Sequence, residues 1–195
     1  RCIAKRLLRR IVYYYSASVS WTESTYRSNE TAFQKIKFRQ RVAVNMENRS
    51  LENTMIGENV TMPVALAPAG LTGMQHADGE ILAARAAEKF GVPFTLSTMS
   101  ICSIEDVAEH TSRPFWFQLY VMRQREISYG LVERAAAAGF DTLMFTVDTP
   151  VAGARLRDKR NGFSIPPQIT AGTVLNAIPR PWWWFDFLTT PKLEF

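Results

Sequence analysis

The chain has 195 residues, 47% of them hydrophobic and 21% charged, with ten glycines and ten prolines spread along it. At roughly 150 residues per domain this length supports one core and not two large ones, and the composition excludes a disordered tail, a collagen-like repeat and a low-complexity linker. Cys2 and Cys102 cannot form a disulfide framework, and no apolar run approaches the roughly 18 residues of a spanning helix. The formal charge is +5, and the first ten residues carry five cationic side chains and no anionic one; the remainder is near neutral, which argues against a nucleic-acid-binding face.

Residues 1–61 are mixed and charged. Ile3, Leu7, Leu8 and Ile11 recur at helical spacing and predict a short basic amphipathic helix, read either as packed on a larger body or as touching an anionic membrane surface. The aromatic run Val12-Tyr13-Tyr14-Tyr15 follows, then a Ser-rich stretch and a second helix over 22–35. Residues 62–149 alternate short apolar runs with helical patterns. Strands are expected at 63–68, 93–97, 115–120 and 142–147, with helices at 79–90, 103–109 and 125–138. Near-continuous apolar runs are the mark of parallel strands covered on both faces, and Gly91 and Gly139 stand where helix C′ residues belong. Successive βα units of this kind imply a parallel α/β sheet, open or closed. Residues 150–195 contain six prolines and show no clear period.

Active groups in parallel α/β folds gather beyond the carboxyl ends of the strands. Gln118 with Tyr120, and Thr146 with Asp148, close their strands on shared faces, Ser97 closes another, and Pro68-Ala69-Gly70 closes the first. Polar groups on one rim of an apolar sheet suit a planar heterocycle held by a few hydrogen bonds, or they cap neighbouring backbone. The glycines match neither a Rossmann nor a Walker loop. His76 and His110 have no partners at zinc-ligand spacing. His76 is read first as part of the loop entering a helix that Asp78 caps and otherwise as a base, His110 as a helix C-terminal dipole partner, and both cysteines as inert thiols. No metal is expected. Arg155, in the loop after the fourth strand, is read as solvated or as a fork for a carboxylate.

The ordered set Met62–Pro68, His76-Ala77-Asp78-Gly79-Glu80, Thr95-Leu96-Ser97, Phe117-Gln118-Leu119-Tyr120, Thr146-Val147-Asp148-Thr149-Pro150 and Lys159-Arg160-Asn161-Gly162-Phe163 resembles the FMN-dependent α-hydroxy-acid dehydrogenase and oxidase family, the bacterial L-lactate dehydrogenase branch above all. The resemblance implies a (β/α)₈ TIM barrel of which 62–149 is the first half, about four βα units. It makes 1–61 an N-terminal helical segment and 150–195 a truncated loop after the fourth strand. It implies FMN as cofactor, contacted by Pro68, Ala69, Gly70, Ser97, Gln118 and Thr146. Tyr120, Tyr14 and Arg155 would face the substrate, and Asp148 would orient a base histidine and stabilise its imidazolium. The reaction implied is oxidation of a 2-hydroxy acid, L-lactate first, to the 2-keto acid, with a quinone, cytochrome or oxygen as electron acceptor.

The family's base histidine, its second arginine and its phosphate-binding groups have no counterpart here, so the chain is expected to be a fragment or half of a split enzyme, inactive alone. Ala17-Ser18-Val19 stand where the family carries a glycine pair. Two other readings remain beside the enzyme: a non-catalytic remnant or interaction module, and another barrel enzyme for a phosphate-bearing ligand. The resemblance further implies a homo-oligomer when complete and a cytoplasmic location, with a peripheral place on the inner face of the cell membrane as the alternative. The segment Pro179–Phe187, with three tryptophans, is read either as a membrane contact or as packing against the rest of the barrel.

Overall fold

A computed structural model describes residues 2–148, 151, 153–163, 172, 174–175 and 178–190, the side chains of Cys2 and Phe187 excepted. The sequence motif Thr149-Pro150, the pair Pro166-Pro167 and the thiol of Cys2 therefore lie outside the described residues. The chain divides into two compact units, one of 1–49 with 151–185 and one of 50–150 with 186–195.

The second unit holds the sheet. β1 (Asn53–Met55) and β2 (Glu58–Val60) form an antiparallel hairpin. Three parallel strands follow, β3 (Thr95–Ser97), β4 (Trp116–Tyr120) and β5 (Leu143–Thr146), in the order β3-β4-β5. The helices α4 (Gly79–Phe90), α5 (Ile104–Glu109) and α6 (Arg125–Ala137) alternate with them. Each strand runs into a helix that returns the chain to the next strand, which is the only short route between parallel neighbours. The packed core is Ile81, Ala84 and Ala87 of α4, Val107 of α5, Ala135 of α6, and Phe94, Leu96, Phe115, Phe117 and Leu119 along the strands; Leu96 is 0% exposed.

Helix ends follow local chemistry. Ser103 accepts the Asp106 amide while the Asp106 carboxylate accepts the Ser103 amide, a reciprocal box that starts α5. Gly91 ends α4 at φ +81°, a conformation that costs a glycine nothing. Asp78 sits at the N-cap position of α4 but its side chain makes no capping bond, which corrects the expected cap: at φ +52° it lacks the extended geometry that aims an N-cap oxygen at the helix. The backbone N–H of Ala77, just before it, instead donates to Asp186 Oδ2 at 2.9 Å.

The expected strand at 63–68 reduces to a single parallel bridge, Leu66 to Phe94, and both Val64 and Leu66 are exposed. Pro63 and Pro68 bracket it and neither has an N–H to give a ladder. The hairpin β1–β2 was not foreseen, because its turn is Ile56-Gly57 with both residues at positive φ; β-branched Ile is the wrong residue for that position.

The first unit is helical: α1 (Cys2–Leu7), α2 (Arg10–Ala17), α3 (Ser24–Lys35) and α7 (Leu156–Arg160), with α8 (Pro181–Thr189) crossing the unit boundary after Phe185. The predicted helix over Ile3–Ile11 is broken at Leu8-Arg9. A continuous helix would stack Lys5 and Arg6 under Arg9 and Arg10 at like-charge i,i+4 spacing. α7 and α8 correct the expectation of an irregular tail; Pro181 at the first helical position is the signal for α8. Among the described residues no helix is long and apolar enough to cross a membrane.

Candidate functional site

The register of the sheet decides which strand-end groups meet. Ser97 lies opposite Gln118, and Tyr120 opposite Thr146. Ser97 Oγ donates to Gln118 Oε1 at 3.1 Å, and Gln118 Nε2 donates to Thr146 Oγ1 at 2.7 Å. Three side chains on three adjacent strands thus form one hydrogen-bonded row at the carboxyl ends of β3, β4 and β5. Gln118 is 2% exposed, so its amide sits where an unpaired polar atom would be costly and every bond it makes is stronger than in water.

The turn after β3 completes the row. Thr98 Oγ1 donates to the Gln118 carbonyl at 2.6 Å and accepts the Tyr120 amide at 3.0 Å, while the Met99 amide donates to Ser97 Oγ at 3.1 Å. Thr98 was not singled out in the sequence; its only signal was a hydroxyl one residue past a strand end. Gly70 approaches this turn so closely that a Cβ there would stand 3.0 Å from the Met99 Cβ and 3.8 Å from Ser97 Oγ. The Leu71 amide donates to the Met99 carbonyl at 2.8 Å. Of the three residues closing the first strand segment, Gly70 therefore lies beside Ser97, while Pro68 is half-buried and Ala69 exposed.

Tyr120 is half-buried, and Asp148, two residues past β5, is exposed. His76 Nδ1 lies 2.7 Å from the Ala77 carbonyl and 3.7 Å from the Asp186 carboxylate. His110 is the C-cap of α5, its Nδ1 2.7 Å from the Asp106 carbonyl. Burial, together with the charge of Glu80, pushes the Cys102 thiol up to about 12, so it is a protonated, unreactive group at neutral pH.

Tyr14 and Arg155 belong to the other unit. Tyr14 lies on α2, with its ring edge-on to Tyr13 and the Arg10 guanidinium 5.8 Å from its centroid. Arg155 Nε lies 2.5 Å from Asp158 Oδ2, and its Nη2 donates to the carbonyls of Tyr15 and Ser18. Its guanidinium also stacks 4.8 Å from the Tyr15 ring centroid, so the fork read from sequence is directed at its own unit's backbone and carboxylate.

The row's donor set has a definite chemistry. An amide and two hydroxyls can each donate and accept, which matches a flat heteroaromatic edge where ring N–H, carbonyl and imine groups alternate, and Gly70 packs against Met99 beside the same row with no side chain of its own. The residues present therefore fit an isoalloxazine ring.

Comparison with known proteins points the same way. The family model for FMN-dependent dehydrogenase matches residues 4–194. The L-lactate dehydrogenase of Stenotrophomonas maltophilia (strain R551-3) is 48% identical over 186 residues, covering 95% of this chain and 49% of that protein. The crystal structure of the monotopic membrane protein (S)-mandelate dehydrogenase superposes with a TM-score of 0.92 at 36% identity, over 99% of this chain and 52% of that one. A mandelate oxidase mutant solved with an FMN adduct has a TM-score of 0.78 at 37% identity, over 87% of this chain and 51% of that one. The chain spans about half the length of the curated relatives it matches.

Replacing Gln118 with Leu keeps the volume and removes its three side-chain links, to Ser97 Oγ, the Thr98 amide and Thr146 Oγ1. Ser97 Oγ loses its acceptor and Thr146 Oγ1 its donor, and the unfolding free energy should fall by about 1–3 kcal/mol. Urea denaturation of the two proteins checks this; an unchanged midpoint would mean that the row is not formed.

Proposed function

This chain belongs to the FMN-dependent dehydrogenase family, and from that premise we propose that its strand-end row seats FMN for the oxidation of a 2-hydroxy acid, L-lactate first, to the 2-keto acid. The observation that carries the reading is the unbroken row Ser97–Gln118–Thr146 with Gly70 packed close beside it. It is a preorganised edge whose polar atoms are already oriented, so binding a planar ring costs little further ordering.

When bound, FMN supplies the two-electron acceptor. Ser97, Gln118 and Thr146 hydrogen-bond its edge and fix its plane. Tyr120, whose hydroxyl makes no hydrogen bond among the described residues, faces the substrate hydroxyl, with Tyr14 as the second substrate-facing tyrosine. Arg155 binds the substrate carboxylate through the planar fork it now turns to Asp158. Asp148 stabilises the imidazolium that forms when a histidine base takes the hydroxyl proton. His76 and His110 are both engaged with backbone carbonyls of their own loop or helix, so the reading assigns that base to neither, and the chain alone binds the ring without turning over substrate.

We also propose that the helical unit touches an anionic membrane surface. Trp182 and Phe185 of α8 are exposed, and Trp183 lies 4.9 Å from the guanidinium carbon of Arg9, in a stretch where residues 2–22 hold no acidic side chain. Aromatic rings and cations of this kind partition to the headgroup layer, and the mandelate dehydrogenase above is itself a monotopic membrane protein.

Titrating FMN with the chain should quench flavin fluorescence to saturation, and Gln118→Leu should weaken the affinity about tenfold or more. Anaerobic L-lactate should then leave the bound flavin oxidised. Failure to bind FMN would remove the proposal, and bleaching of the flavin band would overturn the assignment of the base. Sedimentation with phosphatidylglycerol vesicles should carry the chain down, and replacing Trp182 and Phe185 together by Ala should leave it in the supernatant. Equal sedimentation of both proteins would refute the membrane contact.

A further inference from the structure

Glu80 is the second residue of α4 and falls on its apolar face with Ala84 and Ala87, yet it is only 2% exposed. A carboxylate on a buried helix face needs donors, and it has three. Oε1 accepts the amides of Gly73 and Ile101, both at 3.1 Å, and Oε2 accepts the Cys102 thiol at 3.3 Å. The donors come from two different segments, the Thr72–Met74 turn that follows Gly70 and the loop between β3 and α5. The two segments are pressed together at that point: a Cβ at Gly73 would stand 2.7 Å from the Ile101 Cβ and 3.1 Å from Glu80 Oε2.

We propose that Glu80 is a positioning residue for the flavin rim, its buried carboxylate fastening the turn after Gly70 to the loop after Ser97 so that both keep their places in the row. This rests on the flavin reading above. The first segment is a single turn of 3₁₀ helix closed by its own backbone bonds, and the second is a loop; the Leu71 amide on the Met99 carbonyl is a further direct link between them. Gly70 is three residues from Gly73, and Ser97 four from Ile101, so slack at the fastening point is transmitted directly to the ring's seat. The thiol side of the bridge is stable in character, since Cys102 keeps its proton as donor across the neutral range. No cation is needed to balance the carboxylate, because three directed donors satisfy it.

Three forms of the full chain test this: wild type, Glu80→Ala and Glu80→Gln. The glutamine keeps an oxygen for both amides and turns its NH₂ toward sulfur, a weak acceptor. Amide hydrogen exchange at Gly73 and Ile101 should be protected in the wild type, accelerated at least about tenfold in Glu80→Ala and restored in Glu80→Gln. FMN affinity, read by flavin fluorescence quenching, should fall and recover in the same order. Unprotected Gly73 and Ile101 amides in the wild type would overturn the bridge without any variant. A glutamine as damaging as the alanine, or an alanine that binds FMN as tightly as the wild type, would overturn the positioning role. If the wild type binds no FMN while exchange responds as stated, the flavin reading fails and the bridge stands.

Discussion

Gln118 is a buried amide with a hydroxyl on either side, and the arrangement of the sheet's upper end follows from satisfying it. Its carbonyl oxygen accepts from Ser97 on one neighbouring strand and its NH₂ donates to Thr146 on the other. Leaving either group unpaired at that depth would cost on the order of 1–3 kcal/mol. The parallel register of β3, β4 and β5 sets Ser97 opposite Gln118 and places Thr146 two residues beyond Gln118's own partner Met144, on the same face and within reach of its amide; a slip of one residue would turn the slipped strand's side chain to the opposite face. The apolar core, centred on Leu96, Phe117 and Val107, drives association of these elements and itself disfavours a slipped register. The amide adds to that choice.

The same row explains the detail of the surrounding loops. A planar ligand held by a few hydrogen bonds requires its partners to stay within a few tenths of an ångström of one position. Two of the segments that must do so lie outside the sheet and the α-helices, a 3₁₀ turn and a loop. They are held by backbone links to the Met99 carbonyl, by the hydroxyl of Thr98, and by the Glu80 carboxylate beneath. Glycine at positions 70 and 73 allows the two loops to approach to a distance that any side chain would prevent. On the proposed flavin reading, rigid strands and a fastened rim make a seat formed before the ligand arrives.

Much of this was legible in the residues. The runs 93–97, 115–120 and 142–147 are mostly apolar, and the structure makes strands of them, with Ser97 and Thr146 at the ends of theirs and Gln118 two residues before the end of its own. What escaped were features set by context. The Leu66 segment has strand composition, but two prolines restrict it to one bridge. The β1–β2 hairpin turns on Ile56 in a left-handed conformation, for which its sequence carries no sign. Charge crowding splits the first helix at Leu8-Arg9, where hydrophobic spacing alone predicts continuity. Glu80 did leave a trace, an acid in register with Ala84 and Ala87 on an apolar face, and so did α8, which opens on Pro181. Arg155 carries the fork read from its loop, and in this structure the group is engaged with Asp158 and two carbonyls of the neighbouring helix end, partners that its sequence did not announce.

The central claim is that the Gln118 amide touches the flavin edge directly. Protein labelled with ¹⁵N at glutamine side chains, titrated with FMN and followed by ¹H–¹⁵N correlation spectra, addresses that atom itself. The account expects the Gln118 Nε2 resonance to shift and saturate in step with fluorescence quenching, while Gln34, exposed on α3, stays where it was. A Gln118 resonance that remains in place while FMN is bound would contradict it.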